Sequence, residues 1–199
     1  MRHSSKNTET AWEKSMDKLS IFISLILRHK PESIGIKLDS HGWANVDELI
    51  KGINETAKYS INKTMLEGIV AEDKKGRYVF NDDKSKIRAT QGHSIKIDLD
   101  LVPEEPPFNL YHGTDSKFFD SIKKNGLSKM QRHHVHLTSN FETAKTVGAR
   151  RKTKDSSTVI FYIDTRAMEL DGIKFYRSEN DVWLVDHIDP KYLSVYKTI

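Results

Sequence analysis

RYVFNDDKSKIRATQGHSIKI, residues 77–97, decides how the first half of the chain is built. RYVF (77–80) and KIRAT (86–90) are rich in β-branched and aromatic residues, and the polar NDDKS (81–85) between them supplies a turn, so the three read as a hairpin. Its second strand runs straight into QGHS (91–94). Arg88, Gln91, His93 and Ser94 thereby fall within seven residues. A cation, an amide, an imidazole and a hydroxyl are donors suited to phosphate oxygens, and Gly92 allows close backbone approach. On spacing alone a polar strand end facing water is the better explanation of the stretch.

Upstream, the first fifteen residues read as a loose arm and Met16 opens an apolar segment, MDKLSIFISLILRHK, ended by Pro31. Asp17 near its start and Arg28, His29 and Lys30 at its end suit a helix macrodipole, which by itself accounts for Arg28 and His29. Ile34 to Trp43 reads as a short strand and a turn around Asp39–Gly42. Asn45 and Glu48 form a capping-box pattern before VDELIKGIN, and a further helix is predicted from about Asn62 to Glu72. Helices followed by a two-stranded ribbon predict a winged-helix-like lobe over 16–97. Such lobes serve as nucleic-acid binders and as packing modules, so the fold alone decides little.

DLDLVPEEPP (98–107) holds three prolines and four acids in ten residues and reads as a linker. Beyond it, over 108–199, strands are predicted at FNLYHG (108–113), HVHLT (134–138), STVIFYID (157–164), IKFY, DVWLVD and LSVYK. Two helices are interposed: DSKFFDSIKKNG, with Phe118, Phe119 and Ile122 inward, and FETAKTVGARR, capped by Asn140. The chain is therefore expected to be α+β, its second lobe built on a split, mostly antiparallel sheet.

The chain has 199 residues, 37% hydrophobic and 30% charged, and a net charge of +4. The ten Lys and Arg between Lys117 and Lys154 face only two acids, Asp120 and Glu142, a local excess that reads either as solvated surface or as a footprint for a polyanion. The sequence has no Cys, which excludes disulfides, zinc-thiolate sites and thiol nucleophiles. A polar N-terminus and short apolar runs predict a cytoplasmic protein with no membrane partner. Its ten glycines are never closer than seven residues apart, so neither a Rossmann fingerprint nor a P-loop is present. His133, His134 and His136 raise a metal possibility, but no acids or thiols join the pattern and no metal is expected.

Several segments together carry a resemblance: LILRHKP (25–31), GWANVDELI (42–50), IRATQGHSI (87–95), LYHGT (110–114), HVHLT (134–138), AKTVGARR (144–151), DGIKFYRSENDVWL (171–184) and DPKY (189–192). In order and spacing they resemble the RNA 2'-phosphotransferases, also called tRNA 2'-phosphotransferases, from about Leu19 onward. The resemblance implies a winged-helix lobe followed by an ADP-ribosyltransferase-like lobe. It implies an enzyme of tRNA splicing and processing that consumes NAD to remove an internal 2'-phosphate from RNA. The RNA phosphate is ADP-ribosylated with loss of nicotinamide, and transesterification then yields ADP-ribose 1'',2''-cyclic phosphate and RNA with a free 2'-hydroxyl.

The same resemblance implies the roles of individual residues. Arg28, His29, Arg88 and Arg150 match the family's catalytic set, with Arg151 as neighbour and alternative to Arg150. Arginine suits a phosphate whose nonbridging oxygens gather charge, because its planar fork pairs in two places and stays protonated. His112, Gly113 and Thr114, with Arg132, His136 and Thr138, are the expected NAD contacts, Gly113 by permitting close approach. Gln91, His93, Ser94 and Arg151 are the expected RNA contacts, with structural support of Arg88 as the alternative role for His93 and Ser94. A monomer is expected. Where many ADP-ribosyltransferases carry a late glutamate, this chain reads Asn180-Asp181, with Glu179 beside it, which disfavours transfer to protein. Two rivals stay open: a winged-helix nucleic-acid binder without catalysis, and an ADP-ribosyltransferase that leaves its product on nucleic-acid phosphate ends or on protein.

Overall fold

Pro31 stops the first helix of the computed structural model, α1 (Ala11–Arg28), because a proline ring carries no N–H and disfavours helical geometry in the residue before it. The structure describes residues 11–150 and 153–199. Helix α1 begins five residues before the expected Met16, and the rest of the expected arm, residues 1–10, lies outside the described residues. By its internal contacts the chain divides into two units, Met1–Leu99 and Asp100–Ile199.

In the first unit α1 buries Leu19, Ile23, Ile26 and Leu27, a stripe at helical spacing. The expected strand from Ile34 is instead a 3-10 turn, Pro31–Ile34, begun by Pro31 and closed by Gly35 at φ 73°. Ile34 and Ile36 still reach the core, but through a turn and extended chain without ladder partners. The turn at Asp39–Gly42 forms as expected, with Gly42 N donating to Asp39 O at 3.0 Å.

Strand β1 (Ala44–Asn45) leads into α2 (Val46–Glu55), where the Asn45 side chain accepts from Glu48 N, and Asn62 caps α3 (Lys63–Glu72) in the same way at Met65 N. The hairpin of β2 (Tyr78–Phe80) and β3 (Lys86–Ala89) completes a three-stranded antiparallel sheet in the order β1-β3-β2. Leu49, Ile53, Leu66, Ile69, Ile87 and Ala89 close one core with the α1 stripe.

The second unit contains β4 (Asn109–Asp115), α4 (Phe119–Asn125), β5 (Leu127–Ser128), β6 (Val135–Leu137), α5 (Phe141–Ala149), β7 (Thr158–Asp164), α6 (Thr165–Leu170), β8 (Tyr176–Arg177), β9 (Trp183–Val185), β10 (His187–Ile188) and β11 (Leu193–Thr198). One three-stranded sheet has the order β11-β7-β4, another β6-β9-β8, and β10 pairs with β5; every ladder among the described residues is antiparallel. A bridge between Tyr111 and Thr138 links the two larger sheets. The chain is thus α+β.

Three details depart from expectation. Ser116–Phe118 is a 3-10 turn ahead of α4, and this change of period leaves Phe118 40% exposed beneath the Lys117 ammonium, whereas Phe119 and Ile122 do pack inward. Helix α6 was not expected; Asp164, read as the end of a strand, caps it through Ala167 N. The proline-rich segment is more than a spacer, since Pro103 bridges to Tyr176, Glu104 N donates to Phe175 O at 2.9 Å, and Thr165 Oγ1 donates to Pro107 O at 3.0 Å. Among the described residues no helix is long and apolar enough to cross a membrane.

Candidate functional site

In the first unit, the end of α1 and the QGHS segment are stitched together. Ser94 N donates to the carbonyl of Arg28 at 3.0 Å, and Ser94 Oγ lies 2.9 Å from His29 Nδ1. The turn that returns the chain to α1 runs through Gly92, whose φ of 86° a side chain rarely adopts. Arg28, His29 and Ser94 are therefore adjacent although more than sixty residues separate them in sequence.

Arg28 is half-buried, with its Nε and one Nη sealed from solvent. Burial pushes the Tyr78 hydroxyl pKa up, and the Arg28 charge works against that rise. Arg88 projects from β3 beside the buried Ile87 and Ala89, and its guanidinium carbon lies 4.5 Å from the ring centroid of Trp43. Trp43 was absent from the expected site.

His93 is only 1% exposed and both its ring nitrogens are buried. Its Nε2 would lie 3.6 Å from a β-carbon at Gly42, so the ring packs under the Asp39–Gly42 turn. The His93 ring is thus enclosed beneath that turn. Gln91 stands half-buried at the turn.

In the second unit, strand alternation places His112 and Thr114 on one face of β4 and Tyr111 and Gly113 on the other. His112 Nδ1 lies 3.0 Å from the His136 carbonyl, which can only accept, so Nδ1 carries the proton and Nε2 is left as an acceptor. Burial lowers the His112 pKa, the bond to His136 O opposes this, and the Arg132 charge adds to the lowering, so the ring is held neutral. Arg132 Nη1 donates to His136 Nδ1 at 2.8 Å, which joins the two histidines and the arginine in one chain. Thr138 lies at the sheet-to-sheet bridge, exchanging backbone bonds with Tyr111 at 2.8 and 3.1 Å, and its Oγ1 accepts from Asn140 N.

Gly113 has a different surrounding from the one expected. A β-carbon there would lie 1.8 Å from Ala144 O, and one at Gly148 would lie 2.8 Å from Thr114 N. The two glycines let α5 lie directly on β4, which fixes where the helix ends. That end is Arg150, an exposed C-cap whose N–H bonds Val147 O at 3.3 Å. Arg151 lies outside the described residues.

Several lysines of the basic run have acid partners: Lys117 with Asp115 at 3.6 Å, Lys129 with Asp186 at 3.2 Å and Lys145 with Glu142 at 3.6 Å. Among the described residues no three His, Asp or Glu side chains gather as a metal site, and His134 instead packs against the Tyr176 ring at 5.7 Å.

The family model described as RNA 2'-phosphotransferase, Tpt1/KptA family, matches residues 14–187. A protein of Fusobacterium nucleatum named "Probable RNA 2'-phosphotransferase" is 53% identical over 176 residues, 88% of this chain and 96% of its own length. Proteins of the same name from Flavobacterium johnsoniae and Nostoc punctiforme are each 48% identical, covering 91% and 88% of this chain and 97% and 94% of their own lengths. With a match that reaches into both units and covers every quoted motif but DPKY, the chain belongs to the Tpt1/KptA family of RNA 2'-phosphotransferases, enzymes that remove a 2'-phosphate from RNA.

Proposed function

We propose that the protein removes an internal RNA 2'-phosphate in two steps and consumes NAD as a co-substrate. The observation that carries this reading is the junction of Ser94 with Arg28 and His29, which gathers phosphate-binding groups from two distant segments at the end of α1. In this reading the first unit is a winged-helix-like lobe that takes the RNA phosphate, and the second an ADP-ribosyltransferase-like lobe that takes NAD.

The second unit offers groups that fit a dinucleotide. His112 presents a neutral Nε2 acceptor on the same strand face as the Thr114 hydroxyl, and Arg132 adds a cation for a pyrophosphate beside His136. Thr138 belongs to the neighbouring strand end. Gly113 acts indirectly, through the seat it makes for α5.

In the first step a 2'-phosphate oxygen attacks C1'' of the nicotinamide ribose. The carbon–nitrogen bond breaks and its electron pair leaves with nicotinamide. No base is needed, because a phosphate monoester with a second pKa near 6 is largely dianionic at pH 7. In the second step the ribose 2''-hydroxyl attacks phosphorus and gives up its proton, the bond to the RNA 2'-oxygen breaks, and that oxygen takes up a proton in exchange. Charge on the nonbridging oxygens peaks here, where Arg28 and Arg88 of the first unit act by fixed positive charge and His29, oriented by Ser94, donates to an oxygen.

Arg28→Ala and Arg88→Ala test this division of labour. Each is expected to release nicotinamide and accumulate RNA bearing ADP-ribose on its 2'-phosphate. Variants that stop before nicotinamide release would overturn the assignment of these arginines to the second step.

A further inference from the structure

We propose that Trp43 is a positioning residue for Arg88, and that the Asp39–Trp43 turn serves to hold its indole against the guanidinium. The inference rests on the reading that Arg88 acts on the phosphate in the second step.

The ladder between β1 and β3 pairs Ala44 with Ile87 and Asn45 with Lys86. Continued by one residue, that register sets Trp43 opposite Arg88 on the face away from the core. There the guanidinium carbon lies 4.5 Å from the indole centroid, well inside cation–π range. An aromatic face steadies the plane of an arginine through the ring's electrostatic attraction and takes up none of its N–H donors itself.

The backbone that carries the indole is itself fixed. Trp43 N donates to Asp39 Oδ1 at 2.9 Å, His41 N donates to the same oxygen at 3.0 Å, and Trp43 O accepts from Asp39 N at 2.9 Å. Gly42 holds φ 80° within the turn. The other Asp39 oxygen accepts from Lys86 Nζ at 3.2 Å, which ties the turn to β3 two residues before Arg88. A tryptophan serving only as core filler would need none of this alignment with one cation.

The test is a double-mutant cycle in the full chain with NAD and an RNA bearing one internal 2'-phosphate. Nicotinamide release reports the first step, and loss of ADP-ribosylated RNA reports the second. Trp43→Leu is expected to slow the second step roughly tenfold while nicotinamide release changes by less than about twofold. Trp43→Phe, which keeps an aromatic face, should restore most of the rate. Adding Trp43→Leu to Arg88→Ala should cost nothing further, because the tryptophan acts only through the arginine. An unchanged second step in Trp43→Leu, or an equal loss with and without Arg88, overturns the proposal while leaving the reaction intact. If Trp43→Leu lacks the wild-type thermal transition, Trp43→Met takes its place in the cycle under the same criteria. An Arg88→Ala enzyme that completes the second step normally overturns the underlying assignment, and the proposal with it.

Discussion

Gly148 sits so close to Gly113 that a β-carbon on it would lie 3.0 Å from the Gly113 carbonyl carbon and 2.6 Å from the Thr158 methyl. The reciprocal substitution is worse, because the β-carbon of Gly113→Ala would lie 1.8 Å from Ala144 O, a backbone atom that cannot swing aside. Overpacking on this scale costs about 3 kcal/mol. We expect Gly113→Ala to lower the melting temperature by about 10 °C and, by displacing the end of α5 and Arg150, to depress turnover beyond what the loss of folded protein explains. Thermal melts beside activity per folded molecule check both.

A second glycine predicts the opposite sign. Gly68 lies within α3 with nothing within 4 Å of its missing β-carbon, and its φ is not among the positive ones. Gly68→Ala should stabilise the protein by about 0.5–1 kcal/mol, since alanine loses less backbone freedom on folding. Denaturant unfolding checks it.

The pH dependence of stability follows from His112. Its folded pKa is depressed below the ordinary value of 6.5, chiefly by burial. The neutral ring therefore contributes stability that is fully present above 6.5 and is lost as pH falls through the folded value. His112→Asn removes the titration while keeping an amide donor for the His136 carbonyl. The difference between wild-type and variant melting temperatures should shrink as pH is lowered from 7 to 5, and a constant difference across that range counts against a buried neutral imidazole.

Ser94→Ala tests the orientation of His29. Ser94 is exposed, so folding stability should change by no more than about 1 kcal/mol, the contribution of a single hydrogen bond. Loss of the bond to His29 Nδ1 is worth about 1 kcal/mol, or roughly fivefold in turnover at saturating substrate. An unchanged kcat would show that the imidazole needs no tether.

Arg132→Ala separates NAD binding from chemistry. Arg132 is exposed and bonded to His136, so its removal should raise the KM for NAD about tenfold with kcat little changed. Steady-state kinetics with NAD as the varied substrate give the answer.

Features set by short-range chemistry were legible in the sequence. Asn45, Asn62 and Asn140 each cap the helix expected of them, because a cap depends on residues three positions away. The hairpin at 77–90 formed for the same reason. Residues 31–36 misled because Ile34 and Ile36 alternate like a strand while Pro31 and Gly35 impose a turn. Helix α6 was hidden because Asp164 closes a strand and caps a helix at once.

At the candidate site, motif matches drew attention to Arg28, Arg88 and His112, but partners that depend on tertiary register were invisible. Trp43 reaches Arg88 only once β1 and β3 are paired. The glycine of the HGT motif read as room for a ligand, whereas the folded chain fills that room with α5.

The most direct test of the account follows the phosphorus atom itself. Wild-type protein is incubated with an RNA carrying a radiolabelled internal 2'-phosphate, with and without NAD, and the labelled products are separated by mass. The account predicts that label leaves the RNA only with NAD, appears in ADP-ribose 1'',2''-cyclic phosphate, and matches released nicotinamide mole for mole. Label released as inorganic phosphate in the absence of NAD would contradict it.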